Sequence, residues 1–291
     1  MRRLVFALFL VSGLTLTAAD HGPDKGTLVI VGGNMQDPAI VTRFIDLAGG
    51  SDAPIVIIPT AGEADDEYDQ YWSGLKQWRQ NGAKNLTVMH TRDRKVADSE
   101  AFVKPIREAR GVFFSGGRQW RLADSYLDTR THKELIALLN RGGVIGGSSA
   151  GASILASFMV RGDTKSNEKM IGDHVVGLGL LKNAAVDQHL LRRNRQFDML
   201  EVIDKYPDLL GIGLDEDTAA FIGPDETVEV EGSGGVTVVD ASDVTFSSMD
   251  SVNEGQPVCL LGLRLHILVA GATFNLHTRV AHPGTLAPRK E

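Results

Sequence analysis

The sequence predicts an α/β fold: a doubly wound, mostly parallel sheet followed by a β-rich C-terminal part. Three observations carry this prediction. Short, continuous apolar runs recur through the first half and alternate with stretches of helical spacing, the pattern of strands buried between covering helices. Each run ends in small or turn-forming residues (Gly32-Gly33, Pro59-Thr60, Ser115-Gly116-Gly117, Ser148-Ser149), and ligands of open α/β sheets sit beyond such carboxyl ends. From Thr227 onward the hydrophobic period changes to two, in Thr227–Val230, Val236–Val239 and Leu263–Val269.

In chain order, Thr27–Val31 is the first strand, and Ile40–Leu47 has helical spacing closed by the C-cap signal Gly49-Gly50. Ile55–Ile58 is a second buried strand. Glu63–Asn81 is polar, with Tyr71, Leu75 and Trp78 on one face, and is expected to be a surface helix. Asn85–His90 and Val112–Phe114 are further strands. Helices are expected at Ser99–Ala109, Gln119–Leu127 and His132–Asn140. Val144-Ile145 begins the next strand, and Ala152–Phe158 is expected to be a buried helix. Arg161–Asp173 is a polar loop, Ala184–Val186 a short strand, and Arg192–Tyr206 a helix with Phe197, Leu200, Val202 and Ile203 as its apolar positions. Gly211–Leu214 and Thr218–Ile222 flank Asp215-Glu216-Asp217.

Composition narrows the class. Of 291 residues 43% are apolar and 23% charged, as in a globular protein. The net charge of −7 comes without any basic face, which excludes a nucleic-acid partner of the non-specific kind. The start has the layout of a signal peptide: Arg2-Arg3, an apolar run over Leu4–Leu16, and Thr17-Ala18-Ala19 before Asp20. Residues 1–19 are therefore expected to be cleaved, leaving 20–291 as a single α/β domain, secreted or periplasmic and with no membrane association. The lone Cys259 allows no intramolecular disulfide. No two histidines or cysteines have ligand spacing near carboxylates, so neither a metal nor another cofactor is expected.

The chemistry points to Gly147-Ser148-Ser149-Ala150-Gly151. A strand running into G-x-S-x-G and then into small residues is the pattern of a nucleophile elbow, in which a strained turn lifts one hydroxyl above the sheet edge. A serine there needs a base, and the base needs a third group to orient it. His189 ends a strand-like run after the loop, in the setting Asp187-Gln188-His189, with Arg192, Arg193 and Arg195 following. Those arginines suit a substrate carboxylate, which a guanidinium fork binds bidentately. Asp215-Glu216-Asp217 suits a cationic arginine or amine.

Four segments together resemble peptidase family S51, in its cyanophycinase branch, with aspartyl dipeptidases as relatives. They are Phe113–Gln119, Gly147–Ala152, Asp187–Arg195 and Gly211–Ala219, in the family's order and spacing, and the likeness extends over about residues 27 to 280. The resemblance implies a sheet of the class I glutamine amidotransferase or flavodoxin-like kind, with serine in place of the amidotransferase cysteine. It implies Ser149 as nucleophile, His189 as general base, and the Gly117 and Ala150 N–H groups as oxyanion hole. Gln119, Asp187, Arg193 and Arg195 would face the substrate, with Glu216 beside them. The substrate would be an aspartyl-containing peptide or a cyanophycin-like polymer, a poly-aspartate backbone carrying arginines, cleaved through an acyl-enzyme. A homodimer is compatible with the resemblance.

The orienting acid has three candidates. Asp163 is favoured, because aspartyl dipeptidases carry their acid near it; Glu168 and Glu216 are the others. The chain departs from the cyanophycinase pattern at Arg118, at Lys165 in Gly162-Asp163-Thr164-Lys165, and at Asp198, where those enzymes carry another arginine. Two other classes fit parts of the pattern. An α/β-hydrolase esterase would also show G-x-S-x-G but would draw its histidine from His277 or His282. A non-catalytic binding protein on the same fold would tolerate the substituted acid position.

Overall fold

The computed structural model describes residues 21–63, 68–161, 170–253 and 256–286. Up to the nucleophile region the elements are β1 (Thr27–Val31), α1 (Pro38–Ala48), β2 (Ile55–Ile58), α2 (Lys76–Gln80), β3 (Leu86–Val88), α3 (Arg94–Ala97), α4 (Glu100–Glu108), β4 (Gly111–Phe114), α5 (Gln119–Tyr126), α6 (Arg130–Asn140) and β5 (Val144–Ser148). There follow α7 (Ala150–Ser153), β6 (Ala156–Phe158), β7 (Leu181–Gln188), α8 (Met199–Lys205), β8 (Leu210–Leu214) and β9 (Thr218–Ile222). The end of the chain is β10 (Thr227–Gly232), β11 (Gly235–Asp240), β12 (Phe246–Ser247), β13 (Leu260–Leu261), β14 (Arg264–Val269), β15 (Thr273–Asn275) and β16 (Val280–His282).

The fold is α/β. The parallel strands expected from the continuous apolar runs form one half of a nine-stranded sheet, in the order β1-β5-β4-β2-β3. β9, β10, β15 and β16 extend it antiparallel from the other edge of β1. Alternate residues of each strand face opposite layers. Val29, Val31, Ile55, Ile57 and Phe113 pack against α1 and Trp78, whereas Leu28, Ile30, Val56, Ile58 and Phe114 face α5, α6 and a second sheet. That second sheet has five strands, β14-β11-β8-β7-β6. Its other face packs on α8 through Ala185, Val239, Met199, Val202 and Ile203.

Local signals explain where elements begin and end. Asp37 caps α1 by accepting from the Ala39 N–H at 2.8 Å, Pro38 opens it, and Gly49 closes it at φ 110°. Ser99 caps α4.

Three expected helices are shorter or absent. Ala152–Phe158 divides into the single turn α7 and the strand β6, which pairs with β7; a short apolar run of small residues has no period to tell helix from buried strand. Arg192–Tyr206 is helical only over Met199–Lys205, since Asn194 takes φ 55° and the segment before α8 is a chain of turns. Phe197 is accordingly 75% exposed instead of facing the core. In Glu63–Asn81 only a 3-10 turn (Ser73–Leu75) and α2 form. Leu75 and Trp78 are buried and Tyr71 is exposed, while the Trp72 indole occupies the place where a side chain at Gly74 would stand. Among the described residues no helix is long and apolar enough to cross a membrane. Residues 1–19 lie outside the described residues.

Candidate active site

Ser149 lies between β5 and α7 with φ 57° and ψ −117°, a conformation that non-glycine residues rarely adopt. The surroundings hold it there. Its N–H donates to the Val31 carbonyl at 3.0 Å, and its own carbonyl accepts from Ala152 and Ser153 at 2.9 and 3.1 Å. The flanking glycines serve close approach: a Cβ on Gly147 would stand 2.0 Å from the Gly151 oxygen. Ala150 opens α7, so its N–H has no partner within the helix. The loop after β4 lies alongside, with a Cβ at Gly116 falling 3.3 Å from Ser149 Cβ and Gly117 next in the chain.

His189 follows β7 and brings its ring to the same place. Ser149 Oγ is 2.9 Å from His189 Nε2, and Nδ1 is 2.7 Å from Glu216 Oε1. A carboxylate only accepts, so Nδ1 carries the proton and Nε2 is left to accept from the hydroxyl. The imidazole lies flat over Gly33: a Cβ there would stand 2.2 Å from His189 Cε1, at a φ of 115° that itself favours glycine. The His189 N–H donates to the Gly32 carbonyl at 2.8 Å, closing the ring's support. Burial pushes the imidazole below its ordinary pKa, Glu216 pulls it back up, and Arg193 and Arg195 push it down again.

The carboxylate seen at His189 Nδ1 is that of Glu216; the favoured Asp163, like Glu168, lies outside the described residues. The sequence offers Glu216 both as a substrate-facing residue and as a candidate acid, and the structure puts its Oε1 against the imidazole. The two acidic neighbours of Glu216 are occupied by the backbone. Asp215 accepts from the Leu191 and Gly235 N–H groups, and Asp217 from those of Gln36 and Asp37. The three-residue acidic turn joins β8 of the second sheet to β9 of the first. The line Ser149–His189–Glu216 therefore draws one member from each sheet and the third from the turn between them.

The residues expected to face a substrate divide into three groups. Gln119 is 5% exposed, and its amide donates to the Val160 and Arg161 carbonyls at 2.8 and 2.9 Å, so it fixes the backbone after β6. Asp187 and Arg195 form a buried pair, Nη1 to Oδ1 at 3.1 Å, with the same Nη1 donating to the Gln188 carbonyl. Burial raises the Asp187 carboxyl and lowers Arg195, each opposed by the charge of the other. The second oxygen of Asp187 and the side-chain oxygen of Gln188 are buried and receive no donor from the described residues. Arg193 is exposed, with its charge felt at His189, Arg161 and Arg195.

Two features of this region carried little or no signal in the sequence. Arg161 is ion-paired with Asp198, so the acid at the departing position holds a guanidinium from another segment. Asn34 donates to Glu216 from the turn after β1; its one trace in the sequence is an asparagine following Gly32-Gly33, since asparagine tolerates the left-handed backbone.

A model of peptidase family S51 matches residues 28–230. The chain belongs to that family. Family S51 membership makes it a serine-type peptidase. The cyanophycinase of Synechococcus elongatus is 34% identical over 282 residues, covering 94% of this chain and 87% of the relative. That of Geminocystis herdmanii is 34% identical over 87% of this chain and 95% of its own length. Among solved structures, a peptidase from an acI-B1 Actinobacterium superposes with a TM-score of 0.65 over 87% of this chain and 97% of its own. At 23% identity that likeness speaks to the fold alone. A putative peptidase E from Listeria monocytogenes gives 0.51 at 18% identity, over 72% of this chain and 99% of its own.

Proposed function

We propose that this S51 peptidase hydrolyses aspartyl-derived amide bonds, in cyanophycin or in β-aspartyl and aspartyl peptides, through an acyl-enzyme on Ser149. The observation that carries the reading is the unbroken hydrogen-bonded line from Ser149 Oγ through His189 to Glu216, at 2.9 and 2.7 Å. Ser149 Oγ attacks the scissile carbonyl carbon while its proton passes to His189 Nε2. Glu216 holds the Nδ1 proton and offsets the imidazolium charge. The N–H groups of Gly117 and Ala150 receive the developing oxyanion. As the tetrahedral adduct collapses, His189 returns its proton to the leaving amine, and water then repeats the sequence on the ester. With its pKa held low by burial, the imidazole is neutral, and so a competent base, near neutral pH.

The substrate class rests on charge and on the cyanophycinase relatives. Exposed Arg193 offers a guanidinium to a carboxylate. The buried acceptors on Asp187 and Gln188, two and one residues before His189, suit the ammonium of the same aspartyl unit. Export through a signal peptide at residues 1–19 belongs to the proposal, and sequencing of native protein should find a start at Asp20 rather than Met1.

The test is to incubate the protein with cyanophycin, β-aspartyl dipeptides and α-Asp-Xaa dipeptides and to identify the products. A fluorophosphonate probe should label Ser149 in parallel. Release of aspartyl products together with labelling supports the reading; cleavage of none of the three, with Ser149 unlabelled, removes it.

A further inference from the structure

The residue that decides how Glu216 presents itself lies on neither of the strands that flank it. Glu216 Oε1 faces His189, and Oε2 accepts from Asn34 Nδ2 at 3.2 Å, the one donor to that oxygen among the described residues. Asn34 Oδ1 in turn accepts from Gln36 Nε2 at 3.3 Å, which orients the amide with its N–H toward the carboxylate. A glutamate has three rotatable bonds and here is about a quarter exposed, so the imidazole bond alone leaves the carboxylate plane free to turn. Contact at both oxygens fixes it.

The backbone carrying Asn34 is anchored without help from its amide. The Gly33 carbonyl accepts from the Asp217 N–H at 2.8 Å. The Gln36 and Asp37 N–H groups both donate to Asp217 Oδ1 at 2.7 Å, and Met35 is buried between. Asn34 itself takes φ 43°. The turn after β1 therefore supports the imidazole with Gly33 and the carboxylate with Asn34, from adjacent residues.

We propose that Asn34 is a positioning residue for Glu216, holding the carboxylate so that Oε1 stays aimed at His189 Nδ1. This rests on the reading of Ser149, His189 and Glu216 as nucleophile, base and orienting acid. The charged groups that act on His189 are Glu216, Arg193 and Arg195, and only the first is touched by Asn34.

The variants follow from the backbone. Asn34→Gly keeps the left-handed conformation and removes only the amide; Asn34→Asp keeps the shape as well but cannot donate. Two readouts are needed: the rate of Ser149 labelling by a fluorophosphonate, and the titration of His189 by NMR. Losing one exposed hydrogen bond should slow labelling about three- to tenfold in Asn34→Gly without lowering the melting temperature. The His189 midpoint should fall, as in Glu216→Ala but by less, because a wandering carboxylate supports the imidazolium less. Asn34→Asp should label slowly too, with the midpoint raised by the added negative charge. In a Glu216→Ala background Asn34→Gly should add nothing. A His189 titration in Asn34→Gly that superposes on the wild type overturns the proposal whatever the labelling rate does, and so does a full additional loss in the Glu216→Ala background. A His189 midpoint that falls in Asn34→Gly while wild-type Ser149 resists the probe removes the hydrolase reading and leaves the positioning role in place.

Discussion

The two sides of the candidate site are built by different means. On the Ser149 side the backbone conformation comes from a buried strand, one strained residue and one helical turn within ten residues of chain, with a single bond from the Ser149 N–H to Val31 as support from outside. On the His189 side nothing is local. The imidazole is carried by β7, supported by Gly32 and Gly33 at the end of β1, and met by a glutamate from the β8–β9 turn. A nucleophile can be specified by a short motif, because strain and exposure are properties of a turn. A base must be specified by topology, because its position depends on three strands that are remote in sequence.

That contrast is open to breaking, first where the effect is largest. Ser149→Ala should reduce turnover on the order of a millionfold with the fold intact, as loss of a triad nucleophile does. Ser148→Ala, one residue away, should remain active, and the reverse pattern would move the nucleophile. Next is the acid. Glu216→Gln should lower kcat roughly ten-thousandfold, since an amide can hold the ring but cannot offset its charge. Asp163→Asn should cost far less, and steady-state kinetics showing the opposite order would return the role to Asp163.

Gly33→Ala tests the remote support. The added methyl meets the imidazole at 2.2 Å, so the ring must shift, and a displacement near 1 Å costs about a hundredfold in rate. Ser149 should then label slowly while circular dichroism is unchanged. The smallest effect concerns charge. Burial and then Arg193 hold the His189 pKa down, so Arg193→Gln should move the acid limb of kcat/KM to higher pH, because the base stays protonated longer as pH rises. A limb that stays in place, measured on an uncharged ester, would place Arg193 too far from the ring to matter.

The same contrast explains what could be read in the sequence. The parallel strands and their loop ends were legible because continuous apolar runs have one explanation, burial on both faces. Ser149 was legible for the reason just given, and His189 through its segment's resemblance to a family. Glu216 stood in the sequence as one of three acids, and nothing there tells an acid that orients a base from Asp215 and Asp217, which tie down backbone N–H groups. Only the arrival of β8 and β9 at the site separates them. The helical spacing of Phe197, Leu200, Val202 and Ile203 predicts a helix that begins at Arg192, with Arg193 and Arg195 expected to face the substrate. The left-handed Asn194 breaks that helix, turns Arg195 inward to Asp187 and leaves Arg193 outside. Ala156–Phe158 lacked any distinguishing period and was settled by a partner strand, β7.

The division of the site between two sheets has a consequence for the life of the chain before it is fully folded. Ser149 belongs to the nine-stranded sheet and His189 to the five-stranded one, so their 2.9 Å contact is a property of the docked pair. A molecule with only one sheet assembled carries an ordinary alcohol, unreactive toward amides for want of a base. On the proposed mechanism, hydrolytic power therefore requires both sheets to be docked. In a denaturant titration, labelling of Ser149 should vanish no later than the loss of secondary structure. Latency in this molecule is written into the order of its strands.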